Sequence, residues 1–171
     1  MDKAQVPGEV REAELERLMQ TYGGLLTGMC TMLVRDYALA QDIVQETFVR
    51  AWRKLDTLRG GEKSEKAWLC RIAVNLCRDQ QRTRWFRLVD RDESALAQWS
   101  VPADETVSDV LEAVGLLPVR MREVILLHYY QDMDAEEMAG SLGISVSAVY
   151  RRLRRAREKL KLLLEGAEDD E

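Results

Sequence analysis

The sequence predicts an all-α protein made of two small helical domains joined by a flexible linker. Three observations lead there. The 171 residues include only three prolines and ten glycines, against many Leu, Ala, Glu and Arg. Apolar residues recur at three- and four-residue spacing through most of the chain. Between two such blocks, Val89 to Thr106 is polar and acidic, carries Pro102 and shows no clear period, so it reads as a linker. A hydrophobic content of 46% is ample for a folded core. The expected bounds are a first domain over 10–87, a linker over 88–106, a second domain over 107–165 and an acidic tail over 166–171.

The first helical region spans Glu12 to Met32, with Leu15, Leu18, Met19, Tyr22, Leu25, Leu26 and Met29 at helical spacing, and Gly23-Gly24 marking a bend or break. A second helix begins near Ala38. Its stripe of Ile43, Val44, Thr47, Phe48, Ala51, Trp52 and Leu55 is core, opposite a face of Asp42, Gln45, Glu46, Val49, Arg50 and Arg53. Acids early and arginines late on that face also suit the helix dipole. Thr57 to Glu65 reads as a polar loop. Lys66 then opens a third helix, in which Leu69, Ile72, Ala73 and Leu76 face one way. Opposite them Trp68, Arg71, Asn75, Arg78 and Arg82 follow at spacings of 3, 4, 3 and 4 and form one ridge. Guanidinium groups neutralise phosphate, while aromatic and amide groups contact bases, so this ridge suits nucleic acid. A half-buried tryptophan beside solvated arginines is the plainer alternative.

In the second block a helix is expected from Val107 to about Leu116, and Pro118 opens another through Val124, Ile125, Leu127 and Tyr130. From Asp134 to Lys161 the pattern becomes specific. Asp134 with Glu137 three residues on is a capping-box start, and Met138, Ala139 and Leu142 supply an apolar face. Gly143 stands where that helix must stop, because glycine enters the left-handed conformation without steric cost. Ile144 is placed to plug the angle that follows, and Ser145 to cap the next helix. There Val149, Leu153, Ala156 and Leu160 form a buried stripe, and Ser147, Tyr150, Arg151, Arg152, Arg154, Arg155 and Arg157 occupy the other sides. This is a helix-turn-helix, whose second helix lies in the DNA major groove.

Charge supports the reading. The whole chain carries −5, yet the blocks alternate: −1 over 1–66, +4 over 67–91, −9 over 92–144, +6 over 145–164 and −5 over 165–171. Basic islands in an acidic chain are poorly explained by solubility, which either sign serves. Two of them on two tethered domains point to two separated stretches of one DNA, held by avidity. Enzyme chemistry has no visible home: there is no phosphate loop, nucleophile elbow or C-x-x-C pair. No metal or cofactor site is expected. Cys30, Cys70 and Cys77 read as buried thiols, although Cys70 and Cys77 could share a helix face. Neither a signal peptide nor an apolar run of spanning length is evident, so a soluble, cytoplasmic protein is expected.

The stretches ALAQDIVQETFVRAWRKL, KAWLCRIAVNLCRDQQR and LPVRMREVILLHYYQDMDAEEMAGSLGISVSAVYRRLRRAREKL, in that order, resemble the extracytoplasmic-function branch of bacterial sigma factors. The resemblance covers about residues 12 to 164. It implies sigma regions two and four, a chain that binds core RNA polymerase and directs it to promoters, and no small-molecule substrate or membrane insertion. By that match Asp42, Gln45, Glu46 and Arg50 are the polymerase contacts. Trp68, Arg71, Asn75, Arg78 and Arg82 would read and open the minus-ten element, with an everted base held by the loop from Arg59 to Glu65. Ser147, Tyr150, Arg151, Arg154, Arg155 and Arg157 would meet the minus-thirty-five element. Tyr150 and Arg151 depart from the short basic-polar pair expected there, so base preference does not carry over. An anti-sigma protein is the further partner implied. The rival readings are a conventional dimeric helix-turn-helix regulator, which leaves the Trp68–Arg82 ridge unexplained, and a helical adaptor whose arginines are merely solvated.

Overall fold

The computed structural model describes residues 8–58, 62–87 and 105–168, and these are helical almost throughout. The helices are α1 (Gly8–Val34), α2 (Tyr37–Arg53), α3 (Glu62–Arg87), α4 (Glu105–Leu116), α5 (Val119–Ile125), α6 (Ala135–Leu142) and α7 (Val146–Glu168). A 3₁₀ turn at Leu55–Thr57 follows α2, and a π-helical turn at Leu126–Tyr130 extends α5. The linker expected over 88–106 lies outside the described residues up to 104; Glu105 and Thr106 already belong to α4.

The first module is α1, α2 and α3. Arg35 takes a left-handed backbone (φ 56°) and Asp36 caps α2, accepting a 2.9 Å hydrogen bond from the Leu39 amide, so two residues suffice to turn the chain. Contrary to expectation, α1 runs unbroken through Gly23 and Gly24. Nothing lies near where a Cβ would stand at either position, and each adds one more helical peptide. Met19 and Leu25, expected in the stripe, are exposed, whereas Gly28 to Val34 are buried on every side. A helix apolar all round is one covered all round, and the cover here is the second module.

α3 starts at Glu62, four residues before Lys66, which shortens the loop expected over 57–65; residues 59–61 are outside the described set. The reason is a long-range anchor. Glu65 is buried and accepts hydrogen bonds from Tyr22 Oη (3.1 Å) and Arg17 Nη2 (2.6 Å) on α1, which ties the first turn of α3 down. Arg17 also holds Glu14 at 2.6 Å, and that bond keeps the Glu14 carboxyl below its ordinary range.

The second module is α4 to α7. The Asp134–Glu137 capping box forms with both bonds (2.8 and 2.9 Å), Gly143 adopts φ 67°, and Ser145 Oγ accepts the Ala148 amide at 3.2 Å. Met138, Leu142, Val149, Leu153 and Ala156 are buried between α6 and α7. α7 continues through Glu168, so the tail expected from 166 is helical at its start; 169–171 lie outside the described residues.

The two modules share one core across a seam, in which α3 packs on α6 and the end of α1 on α5. The seam is rich in polar groups. Arg122, 7% exposed, donates to the carbonyls of Met32 (3.2 Å) and Leu33 (2.9 Å) at the end of α1, and to those of Gly115 and Leu117 (both 2.9 Å) at the end of α4. It thereby satisfies four carbonyls that helix ends leave without a partner. Gln131 Nε2 donates to Leu25 O (3.1 Å) and Ser141 Oγ to Ala67 O (3.1 Å).

Candidate nucleic-acid interface

α7 carries the main basic surface. Residues three and four apart share a helix face, and this places Ser147, Tyr150, Arg151, Arg154 and Arg155 together, all exposed. Tyr150 is 62% exposed and stands clear at the amino-terminal half, where a recognition helix meets base edges. The amino-terminal end of α7 adds the partial positive charge of its helix dipole near Ser147. Arg157, predicted with this set, lies at the margin of the face: its Nε donates to Tyr129 Oη at 2.7 Å and its guanidinium sits 5.6 Å from that ring. The pair borders a shallow groove of about 310 Å³ with Leu160, Lys161 and Leu164. Arg152 turns toward the seam, where burial lowers its guanidinium pKa and one terminal nitrogen is buried without a hydrogen-bond partner.

On α3 the predicted ridge is divided. Arg71, Asn75 and Arg82 are exposed, with Arg82 paired to Asp79 one turn earlier. Trp68 is half-buried against the core, as in the plainer alternative. Arg78 points into the seam, where Nε and Nη2 each reach a carboxylate oxygen of Glu123 at 2.9 Å. Its side chain is 20% exposed and that of Glu123 1%, and the carboxylate raises the arginine pKa further. A cleft of about 700 Å³ opens beside this pair, lined by Asn75, Arg82 and Arg120 among others.

α2 presents the third surface. Asp42, Gln45 and Arg50 are exposed and Glu46 is half-exposed, with Arg50 Nε donating to Glu46 Oε1 at 2.9 Å. Val49 is bare in the middle of this polar face, which gives it an apolar centre. Arg11 of α1 ties down the end of α2, donating to Trp52 O and to Asp56 just beyond it (both 2.8 Å).

Sequence reasoning missed Arg122 and Glu123. A signal existed for the first: Pro118, Arg122 and Ile125 share one face of α5 with apolar neighbours, so Arg122 had to be buried and bonded. Nothing local marks Glu123. Among the described residues no group of three or more His, Cys, Asp or Glu is placed to hold a metal ion, and no helix is long and apolar enough to cross a membrane. Cys30, Cys70 and Cys77 are free and buried; burial pushes the Cys70 thiol up to about 12, and the hydrogen bond to Cys77 together with burial raises Cys30.

The family model for Sigma-70 region 2 matches residues 18–87, and that for Sigma-70 region 4 matches residues 108–160. The chain belongs to the sigma-70 family. Within it, the chain falls in the extracytoplasmic-function branch, whose work is promoter-directed initiation of transcription. It is 31% identical over 161 residues to the ECF RNA polymerase sigma factor SigL of Mycobacterium tuberculosis, covering 90% of this chain and 91% of that one. It is 37% identical over 141 residues to the sigma factor CnrH of Cupriavidus metallidurans, covering 73% of each. Against the probable sigma factor RfaY of Xanthomonas campestris it is 32% identical and spans 85% of this chain but only 39% of that longer protein. Among solved structures it resembles the sigma factor RpoE of Bartonella quintana in complex with the anti-sigma factor NepR (TM-score 0.72, 25% identical, 90% and 96% of the two chains). CnrH in complex with the cytosolic domain of CnrY gives TM-score 0.68 at 30% identity over 91% and 90% of the chains.

Proposed function

We propose that this sigma factor works in the cytoplasm as an exchangeable subunit of core RNA polymerase, with three surfaces dividing the task. The first module, 10–87, docks on polymerase through Asp42, Gln45, Glu46 and Arg50 on α2. Its α3 ridge (Trp68, Arg71, Asn75, Arg78 and Arg82) reads the minus-ten element and stabilises its open strand. The second module, 107–165, reads the minus-thirty-five element through Ser147, Tyr150, Arg151, Arg154 and Arg155, with Arg157 at the edge of that contact. No residue acts as a catalyst: binding free energy from duplex and captured single strand favours melting, and the flipped or unstacked bases cost a few kcal/mol that these contacts offset. An anti-sigma protein is the regulatory partner, as NepR is for the Bartonella protein.

The observation that carries the reading is the exposed α7 face, with five side chains suited to bases and phosphates on one side of a capped recognition helix. A dimeric regulator would need that face alone and would leave the region 2 match unexplained. Run-off transcription with purified core polymerase and a promoter library is the test. Selective initiation on a subset of promoters is expected; no gain in selectivity on adding the chain refutes the reading.

A further inference from the structure

Apolar side chains scattered singly over a surface need no explanation. On α7 two of them are paired. Val146, the first residue of the helix, is 38% exposed, and Tyr150, one turn on, is 62% exposed. Residues four apart share a helix face, with Cβ atoms about 5–6 Å from each other. Helical side chains also lean toward the amino terminus, so Tyr150 leans back toward the turn that carries Val146. The buried stripe of Val149, Leu153 and Ala156 faces the other way and covers neither. An apolar spot therefore stands open at the leading end of the helix, inside the chain's most basic stretch, +6 over 145–164.

The surrounding charge identifies what covers it. Arg151, Arg154 and Arg155 are exposed, and none of them forms an ion pair among the described residues. Unpaired guanidinium groups beside an apolar spot suit a polyanion, and the amino-terminal residues of a recognition helix meet base edges in the major groove. Only thymine shows an apolar group there, its C5 methyl; the other bases present donors and acceptors. Pressing a polar base edge against valine and an aromatic ring would strip its water without replacing the hydrogen bond. A methyl group loses nothing by the same contact. Next to that methyl thymine carries the O4 acceptor, and the Tyr150 hydroxyl is a donor with no partner among the described residues. The short basic-polar pair that the family resemblance implies at Tyr150 and Arg151 is absent, so the base chemistry follows from the side chains that stand here.

We propose that Val146 and Tyr150 together form an apolar reader of one thymine methyl in the minus-thirty-five element, which makes Val146 a specificity-determining residue alongside those assigned above. This rests on the reading of α7 as the helix that meets that element. The arginines hold phosphates and polar base edges, and the valine–tyrosine pair selects thymine.

The test removes the methyl and nothing else. Holoenzyme built with the unmodified chain selects promoters from a library randomised over the minus-thirty-five element. Each thymine of the selected element is then replaced in turn by uracil, which keeps pairing and O4 intact. Competition binding of these duplexes is measured for holoenzymes carrying the unmodified chain, Val146→Ala, Tyr150→Ala and Tyr150→Phe. With the unmodified chain, one thymine should lose about threefold to fivefold in affinity on becoming uracil, the worth of one buried methyl group. Both alanine variants should lose that discrimination, and Tyr150→Phe should keep it. The uracil series on the unmodified chain needs no variant, so it decides the case even if one of them misfolds. A spot that serves the DNA backbone or a protein partner would leave thymine and uracil templates equal. That result overturns the proposal, as does undiminished discrimination in both alanine variants. Failure of the unmodified holoenzyme to select any promoter refutes the sigma reading instead, so the two failures are separable.

Discussion

Arg122→Met keeps the length of a buried side chain and removes its donors, and so measures what the guanidinium contributes to holding two helix ends. Four carbonyl acceptors at 2.9–3.2 Å lose this donor together, although Gly115 O keeps a longer bond from Arg35 Nη1 at 3.4 Å. Hydrogen bonds from a charged donor contribute about 1.5–3 kcal/mol each, and their plain sum would rival the roughly 5–15 kcal/mol of a whole domain. Two effects reduce it. The variant no longer carries the desolvation cost of a buried cation, and water can reach carbonyls at helix ends. What remains is about 3–5 kcal/mol, the usual cost of removing one member of a buried charged network. For a chain of this size that lowers Tm by about 6–20 °C. Urea unfolding followed by circular dichroism at 222 nm reads it directly. Arg122→Lys should recover about half, because a single ammonium cannot span the ends of α1 and α4 at once. A loss below about 1 kcal/mol for the Met variant would refute the reasoning, since it would mean the four carbonyls need no arginine.

Removing Arg154 and Arg155 tests the α7 face. An arginine on a phosphate weakens all sequences alike and reduces the slope of log K against log salt by about 0.9, whereas a base contact costs about 1–3 kcal/mol at one position. Salt titrations of promoter binding by the R154A and R155A holoenzymes separate the two, and unchanged transcription from both would discard the assignment. Charge reversal at Asp42 or Glu46 should weaken binding to core polymerase at least tenfold in a fluorescence titration. Melting temperature should hardly change, because both side chains reach solvent. Cys70 makes a pH prediction. Its thiol stays neutral in the fold up to about pH 12 but ionises near 9 in the unfolded chain, so the folded state holds the extra proton between those values. Stability should therefore fall by about 1.4 kcal/mol per pH unit as pH rises through that window, and Cys70→Ala should flatten the alkaline limb. A limb of equal slope in the variant assigns the loss elsewhere.

What could be read from the chain beforehand was whatever a helix encodes locally. The capping box at Asp134, the left-handed Gly143 and the α2 stripe each depend on residues a few positions apart, and each was legible for that reason. The same holds for the α7 face. The failures are all long-range. α3 begins early because Tyr22 and Arg17 hold Glu65 from 43 and 48 residues away. Arg78 leaves its ridge for a carboxylate 45 residues on. The end of α1 looked one-sided until its second neighbour arrived, though GMCTMLV, apolar all round, carried the hint. Periodicity tells which face is wet when one partner is present; it is silent on a face that a second body covers.

The π-turn at Leu126–Tyr130 has an evolutionary consequence. There the Gln131 amide bonds the carbonyl five residues back, Leu126 O at 3.0 Å, which is the footprint of one surplus residue in an otherwise ordinary α-helix. Deleting a single codon in that stretch would let the helix close normally and turn everything after it by about 100°. The DNA-reading end would then be re-aimed against the arginine-anchored end without any change to either. A lineage could shift the angle at which this module meets the double helix by gaining or losing one amino acid.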